Sequence, residues 1–161
     1  MNWWGEVKEE DGIKLLQKAA DEGINFFDTA DTYGAGYGEE IIPKALGDRR
    51  KDIVIGTKFG YDIEAPREGH KERPQIWDAD FVKRACDSSL RRLQTDYIDI
   101  YQYHNPRLEA LQREDTLGAL EDLKAEGKIR QYAVAVGPDI GWREEGLYSI
   151  EERKIPAELI Y

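Results

Sequence analysis

The chain has 161 residues, and its 23 Lys and Arg against 33 Asp and Glu leave a net charge of -10. A length near the common domain size of roughly 150 residues argues for one domain with an ordinary buried core. The acidic balance excludes a non-specific nucleic-acid binder, because a phosphate backbone needs Lys and Arg to neutralise it. The single cysteine, Cys86, excludes an internal disulfide framework and a multi-thiolate zinc site. No apolar run approaches the ~20 residues of a membrane span. Met1 is followed by Asn2-Trp3-Trp4-Gly5-Glu6 rather than an apolar leader, so a secretory signal is not expected, and the lone thiol fits a reducing cytoplasm.

Short β-like runs alternate with longer helical patterns, which predicts an α/β fold with a parallel sheet. The first helix is predicted at about 11–22, from Ile13, Leu15, Leu16, Ala19 and Ala20 at near-helical spacing, with Gly23 as its stop. Ile24 to Phe27 then read as a strand ending at Asp28, followed by a glycine-rich loop and a helix at 38–46 that stops at Gly47. Residues 52–57 read as a buried strand ending at Lys58. The segment 60–77 has no periodicity, holds Gly60, Pro66, Gly69 and Pro74, and is expected to be a functional or mobile loop. Asp78 or Asp80 caps the next helix, at about 79–94. A strand from Tyr97 to Tyr103 ends at His104 and is broken by Asn105-Pro106. A helix at 114–126, a strand at 129–136, a helix near 143–153 and the start of a strand at 157–161 complete the pattern.

Parallel strands joined by helices place their carboxyl ends on one rim, where ligands bind in open sheets and in barrels alike. Three of these ends carry ionisable residues: Asp28, Lys58 and His104. Tyr33 lies on the loop just after the first. A free tyrosine, with a pKa of about 10, is a poor acid near neutral pH, and a neighbouring ammonium favours the phenolate. Lys58 is placed to supply that charge, Asp28 to pair with Lys58, and His104 to hydrogen-bond a substrate oxygen. The set describes a proton donor beside a polarised carbonyl. No side chain delivers hydride, so a nicotinamide cofactor is the expected source.

Several stretches resemble the aldo-keto reductase family: Gly23 to Gly34 (GINFFDTADTYG), Thr57 to Gly60 (TKFG), Ser89 to Tyr101 (SLRRLQTDYIDIY) with His104 after it, and Gly127 to Arg130 (GKIR). The resemblance implies a (β/α)8 TIM barrel that reduces aldehydes and ketones with NADPH. The family's four catalytic positions fall on Asp28, Tyr33, Lys58 and His104, with the tyrosine as general acid, the lysine–aspartate pair tuning it and the histidine orienting the carbonyl. The family's Ser-Asn pair for the nicotinamide carboxamide falls on Ala135 and Val136, which lack the needed donors and acceptors, and its glutamine on the next strand falls at Glu158. Cofactor-binding residues are therefore left unassigned.

Barrels of this kind need roughly 250 residues, so the chain is expected to hold about strands two to six of an incomplete barrel, without the cofactor's phosphate-binding loop. The resemblance also allows a cofactor-binding regulatory subunit or an inactive barrel fragment. The expected partner is a small-molecule carbonyl substrate, with no nucleic acid and no membrane, and the oligomeric state stays open. Other positions are read as structural. Asp99, mid-strand on the face opposite His104, is expected to be structural and paired or hydrogen-bonded, Cys86 to be a packed thiol and His70 to be solvated. Trp3, Trp4 and Trp77 are divided between a substrate mouth and ordinary packing.

Overall fold

The computed structural model describes residues 8–66, 69, 71–137, 139–155 and 157–159. Trp3, Trp4 and His70 lie outside the described residues. The elements run, in order, α1 (Glu9–Asp21), β1 (Phe26–Asp28), α2 (Tyr37–Leu46), a 3₁₀ turn (Gly47–Asp52), β2 (Val54–Phe59), α3 (Ala79–Leu93), β3 (Ile98–His104), α4 (Leu108–Leu111), α5 (Glu114–Ala125), β4 (Ile129–Val136), α6 (Asp139–Glu151) and β5 (Ala157–Leu159).

The five strands form one sheet in the order β1-β2-β3-β4-β5, with every neighbouring pair parallel. Strand order follows chain order without a reversal. A doubly wound sheet reverses at a switch point, whereas continuous winding in one direction is the arrangement of a (β/α)8 barrel. The chain is an arc of such a barrel. The central strands β2 and β3 read as largely apolar runs because both of their faces are covered. β2 is buried from Ile55 to Phe59, and β3 is buried at every position except Ile100.

One face of the arc packs on the helices through an aromatic layer. Phe59 stacks on Tyr101 with ring centroids 4.5 Å apart, and Trp77 stacks on Tyr103 at 5.8 Å. Cys86, from α3, is fully buried on this side. Burial, reinforced by the Asp87 charge, pushes its thiol up to about 12, so it packs as an inert group.

Local chemistry sets most element ends where the sequence places them. The Asp78 carboxylate accepts from the Phe81 amide at 2.9 Å and caps α3, a contact of the kind that adds ~1 kcal/mol. Gly23 takes the left-handed conformation that ends α1, with φ of 93°. Gly47 does not act as such a stop. Its φ is -53°, and the chain winds on into the 3₁₀ turn, so β2 starts at Val54 rather than at residue 52.

Arg50 explains that difference. Its guanidinium donates to the Ile53 and Tyr97 carbonyls, to Thr95 Oγ1 at 3.0 Å and to Asp99 Oδ2 at 2.8 Å. Asp99 Oδ2 also accepts from the Ile55 amide at 3.0 Å, and Arg130 lies 3.4 Å from Oδ1. Asp99 is thus paired inside the sheet, at the end opposite the rim.

Candidate active site

Residues at matching positions of a parallel ladder share one face. Lys58 is paired in register with Gln102, and His104 with Ala135. That places Lys58, Gln102 and His104 on one face, at the carboxyl end of the sheet. Asp28 is paired with Gly56, two residues before Lys58, and so joins the same face.

Lys58 is the centre of the cluster and is wholly buried. An ammonium there needs partners, since an unpaired buried charge is costly. It forms an ion pair with Asp28 Oδ2 and donates to the Thr29 carbonyl oxygen at 2.7 Å. The other carboxylate oxygen, Asp28 Oδ1, accepts from Gln102 Nε2 at 3.0 Å. Three adjacent strands are therefore joined by side chains at their ends. The Asp28 side chain keeps 35% of its surface open to solvent.

Tyr33 stands on the loop between β1 and α2. The loop turns sharply, with Tyr33 N donating to Ala30 O and Gly38 N to Tyr33 O at 2.9 Å. Gly36, with φ of 100°, permits that turn where a side chain would be strained. Tyr33 is 45% exposed. Its centroid lies 5.2 Å from Lys58 Nζ, and the ring meets the His104 imidazole edge-on at 5.8 Å. All four residues singled out in the sequence are thus brought together.

His104 is buried and is flanked on a second side by Tyr61, whose ring is edge-on at 5.1 Å. Its Nδ1 has no hydrogen-bond partner among the described residues. Burial, aided by the Lys58 charge, lowers the imidazole to about 3, so it is neutral at physiological pH. The expected result is that ¹⁵N spectra of the imidazole show no protonation of His104 between pH 8 and pH 5. A midpoint near the ordinary value of about 6.5 would contradict the buried geometry.

Residues 60–66 and 71–77 lie against this end of the sheet and wall it on one side. An antiparallel bridge joins Tyr61 and Gln75, and Asp62 N donates to Pro74 O at 2.8 Å. Gln75 Nε2 donates to the carbonyls of His104 and Asn105, at 3.1 and 3.2 Å. Trp77 lies so close to Gly60 that a Cβ there would sit 2.2 Å from its ring. Trp77 therefore packs into the aromatic layer under the wall.

Sequence reasoning missed Gln102, Tyr61 and Gln75. Gln102 carried a usable signal: it lies two residues before His104 in a buried strand, hence on the same face, and a buried amide needs a partner. Tyr61 and Gln75 carried none, because their placement depends on how the long loop closes. The end of β4 does not offer a grip for a carboxamide. Ala135 and Val136 are fully buried, and neither side chain can hydrogen-bond. The structure thus presents an ionisable cluster on β1 to β3 and the loop after β1, with an apolar strand end beside it. Among the described residues, no group of three His, Cys, Asp or Glu is arranged to hold a metal ion, and no helix is long and apolar enough to cross a membrane.

A barrel arc whose strand ends and first rim loop gather a carboxylate, an ammonium, a phenol and an imidazole defines a (β/α)8-type protein with an ionisable cluster at the rim. The sequence profile of the Aldo/keto reductase family matches residues 1–148, and the chain belongs to that family. It is 39% identical over 131 residues to an uncharacterized oxidoreductase of Bacillus subtilis, YqkF, covering 80% of this chain and 41% of that relative. Among solved structures, a holo-form aldo-keto reductase of Bacillus halodurans superposes with a TM-score of 0.76 at 28% identity, covering 96% of this chain and 58% of that one. An aldo/keto reductase of Klebsiella pneumoniae, solved in complex with NADP and acetate, superposes with a TM-score of 0.66 at 34% identity, covering 83% of this chain and 42% of that one. The chain thus spans about two-fifths of the length of the Bacillus subtilis relative.

Proposed function

We propose that the protein to which this chain belongs reduces aldehyde or ketone carbonyls to alcohols with NADPH, and that Tyr33 donates the proton. The observation that carries this reading is the enclosure of Lys58: a buried ammonium, fixed by Asp28 and the Thr29 carbonyl, lies beside the ring of a half-exposed phenol. NADPH supplies the hydride when bound, as the NADP complex of the Klebsiella pneumoniae relative suggests.

The side chains divide the remaining work. The Tyr33 hydroxyl donates to the oxygen of the reacting carbonyl, where negative charge develops. Lys58 stabilises the phenolate left behind, because its positive charge lies close to the Tyr33 ring and is itself shielded from water by burial. Asp28 and Gln102 hold the ammonium and its counter-charge in place. Neutral His104 is suited to hydrogen-bond the same carbonyl oxygen without competing for the proton, and Tyr61 and Tyr33 limit its rotation from two sides.

The test is an assay of the full-length protein with NADPH and a panel of aromatic and aliphatic aldehydes. Alcohol formation is the expected result. Absence of turnover across the panel, with NADPH bound, would replace this reading with that of a cofactor-binding regulatory subunit.

A further inference from the structure

Behind the rim, on the helix-facing side of β2, lies a second group of polar side chains that the proton transfer above does not use. Glu39 on α2, Thr57 on β2, Ser89 on α3 and Asp31 on the Tyr33 loop are all buried. Thr57 Oγ1 donates to Glu39 Oε1 at 2.6 Å, and Arg92 Nε donates to Glu39 Oε2 at 2.5 Å. Arg92 Nη2 reaches Ser89 Oγ at 3.3 Å. Asp31 is 2% exposed, and its Oδ1 has no hydrogen-bond partner among the described residues. The charged and titratable groups facing Asp31 are Glu39 from α2, Arg92 from α3, Lys58 from β2 and the Tyr101 phenol from β3.

These contacts connect the two halves of the proposed donor. Glu39 follows Gly38, whose amide donates to the Tyr33 carbonyl. Thr57 precedes Lys58. The Asp31 amide donates to the Lys58 carbonyl at 3.4 Å. Gly36 lies against Arg92, where a Cβ would come within 2.7 Å of its Cδ. The loop that carries Tyr33 is therefore fastened to the strand that carries Lys58 from behind.

We infer that Glu39 is a positioning residue, which through Thr57 and Arg92 clamps the Tyr33 loop to the Lys58 strand, and that the clamp slackens when Asp31 gives up its proton. This inference rests on the reading of Tyr33 and Lys58 as the donor and its electrostatic partner. Burial, with the Glu39 charge second, raises the Asp31 carboxyl to about 8, so it is neutral at pH 7. Above that value a second carboxylate charge faces Glu39. Lys58 is already engaged with Asp28, so Arg92 is left to serve both carboxylates. A displacement of the phenol by about 1 Å is enough to cost on the order of 10²-fold in rate.

The unfolded chain releases the Asp31 proton near 4, so the folded chain holds an extra proton between about pH 4 and pH 8. The resulting stabilisation is complete below that window and lost as pH rises through it. Asp31→Asn removes this dependence.

The test uses the full-length protein with NADPH and 4-nitrobenzaldehyde, together with amide hydrogen exchange of residues 29–39 at pH 7 and pH 9. In the wild type, protection of this segment is expected to fall at pH 9 relative to pH 7, after correction for intrinsic rates. In Asp31→Asn it is expected to stay level, and the ratio of kcat at pH 9 to kcat at pH 7 is expected to rise. Thr57→Val, which keeps the shape and replaces the donating hydroxyl with a methyl, and Glu39→Gln are expected to lower kcat more than they raise KM, with Glu39→Ala losing on the order of 10²-fold in kcat. If Glu39→Ala does not fold, Thr57→Val and Glu39→Gln carry the comparison. Wild-type exchange at pH 9 that matches pH 7, or an Asp31→Asn profile identical to wild type, overturns the clamp. If Tyr33→Phe is inactive while these variants behave as wild type, the clamp alone fails. If Tyr33→Phe retains full turnover, the donor assignment fails first.

Discussion

Tyr33→Phe in the full-length protein is expected to lower kcat for aldehyde reduction by ~10²–10⁴-fold, the usual contribution of a general acid, while NADPH affinity changes by less than about twofold. The substitution removes only the hydroxyl. The phenyl ring keeps its edge-on contact with His104 and its place beside the Lys58 ammonium, so the mouth keeps its shape. With ~1.4 kcal/mol per factor of ten, the loss corresponds to roughly 3–5 kcal/mol of transition-state stabilisation. Lys58→Met is expected to fall in the same range by a different route, because the phenol remains but its conjugate base loses the adjacent positive charge. Steady-state rates and fluorescence titration with NADPH separate the two effects. Turnover of Tyr33→Phe within threefold of wild type would remove Tyr33 from the mechanism.

The second large effect concerns stability. Arg50→Met is expected to destabilise the protein by about 3 kcal/mol, in the range found when one partner of a buried ion pair is removed. Arg50 ties the 3₁₀ turn to β3 by donating to the Ile53 and Tyr97 carbonyls and to Asp99, and its guanidinium lies 4.0 Å from the centre of the Tyr97 ring. Removing it strands the Asp99 carboxylate inside the sheet with Arg130 at 3.4 Å as its remaining cation. Adding Asp99→Asn is expected to recover part of the loss, because the amide oxygen still accepts from Ile55 N and no charge is left behind. Denaturant unfolding followed by circular dichroism measures both. A loss under about 1 kcal/mol for Arg50→Met would show that water or Arg130 compensates.

The core of the arc was legible because its central strands, β2 and β3, are covered on both faces. Ile53-Val54-Ile55 is a continuous apolar run and Tyr97 to Tyr103 is apolar or aromatic except at Asp99 and Gln102, and the two strands reach the rim at Lys58 and His104. A buried strand ending in Lys58 or His104 states both its burial and its exit. Asp99 was also legible, since a carboxylate inside a strand must be paired.

Features fixed by contacts between distant residues were not. Gly47 looked like a helix stop, but whether it adopts the left-handed conformation depends on the turn that follows, and that turn is held from positions 95, 97 and 99. The short α4 and the early start of α6 at Asp139 left no clear periodicity. At the site, Asp28, Tyr33, Lys58 and His104 were found, whereas the pairing of Glu39 with Thr57 spans 18 residues. It emerges only when α2 is laid against β2.

For the proposed carbonyl reduction, the side-chain tie from Lys58 through Asp28 to Gln102 has a consequence for the energetics of turnover. In water, charges gather around a reacting carbonyl only after solvent dipoles swing into place, and that rearrangement forms part of the barrier. Here the dipoles and charges were oriented when the chain folded, so the work of aligning them is done once, at folding, rather than in every cycle. A protein built this way trades some resilience of its strand ends for a mouth that is already polarised when substrate arrives.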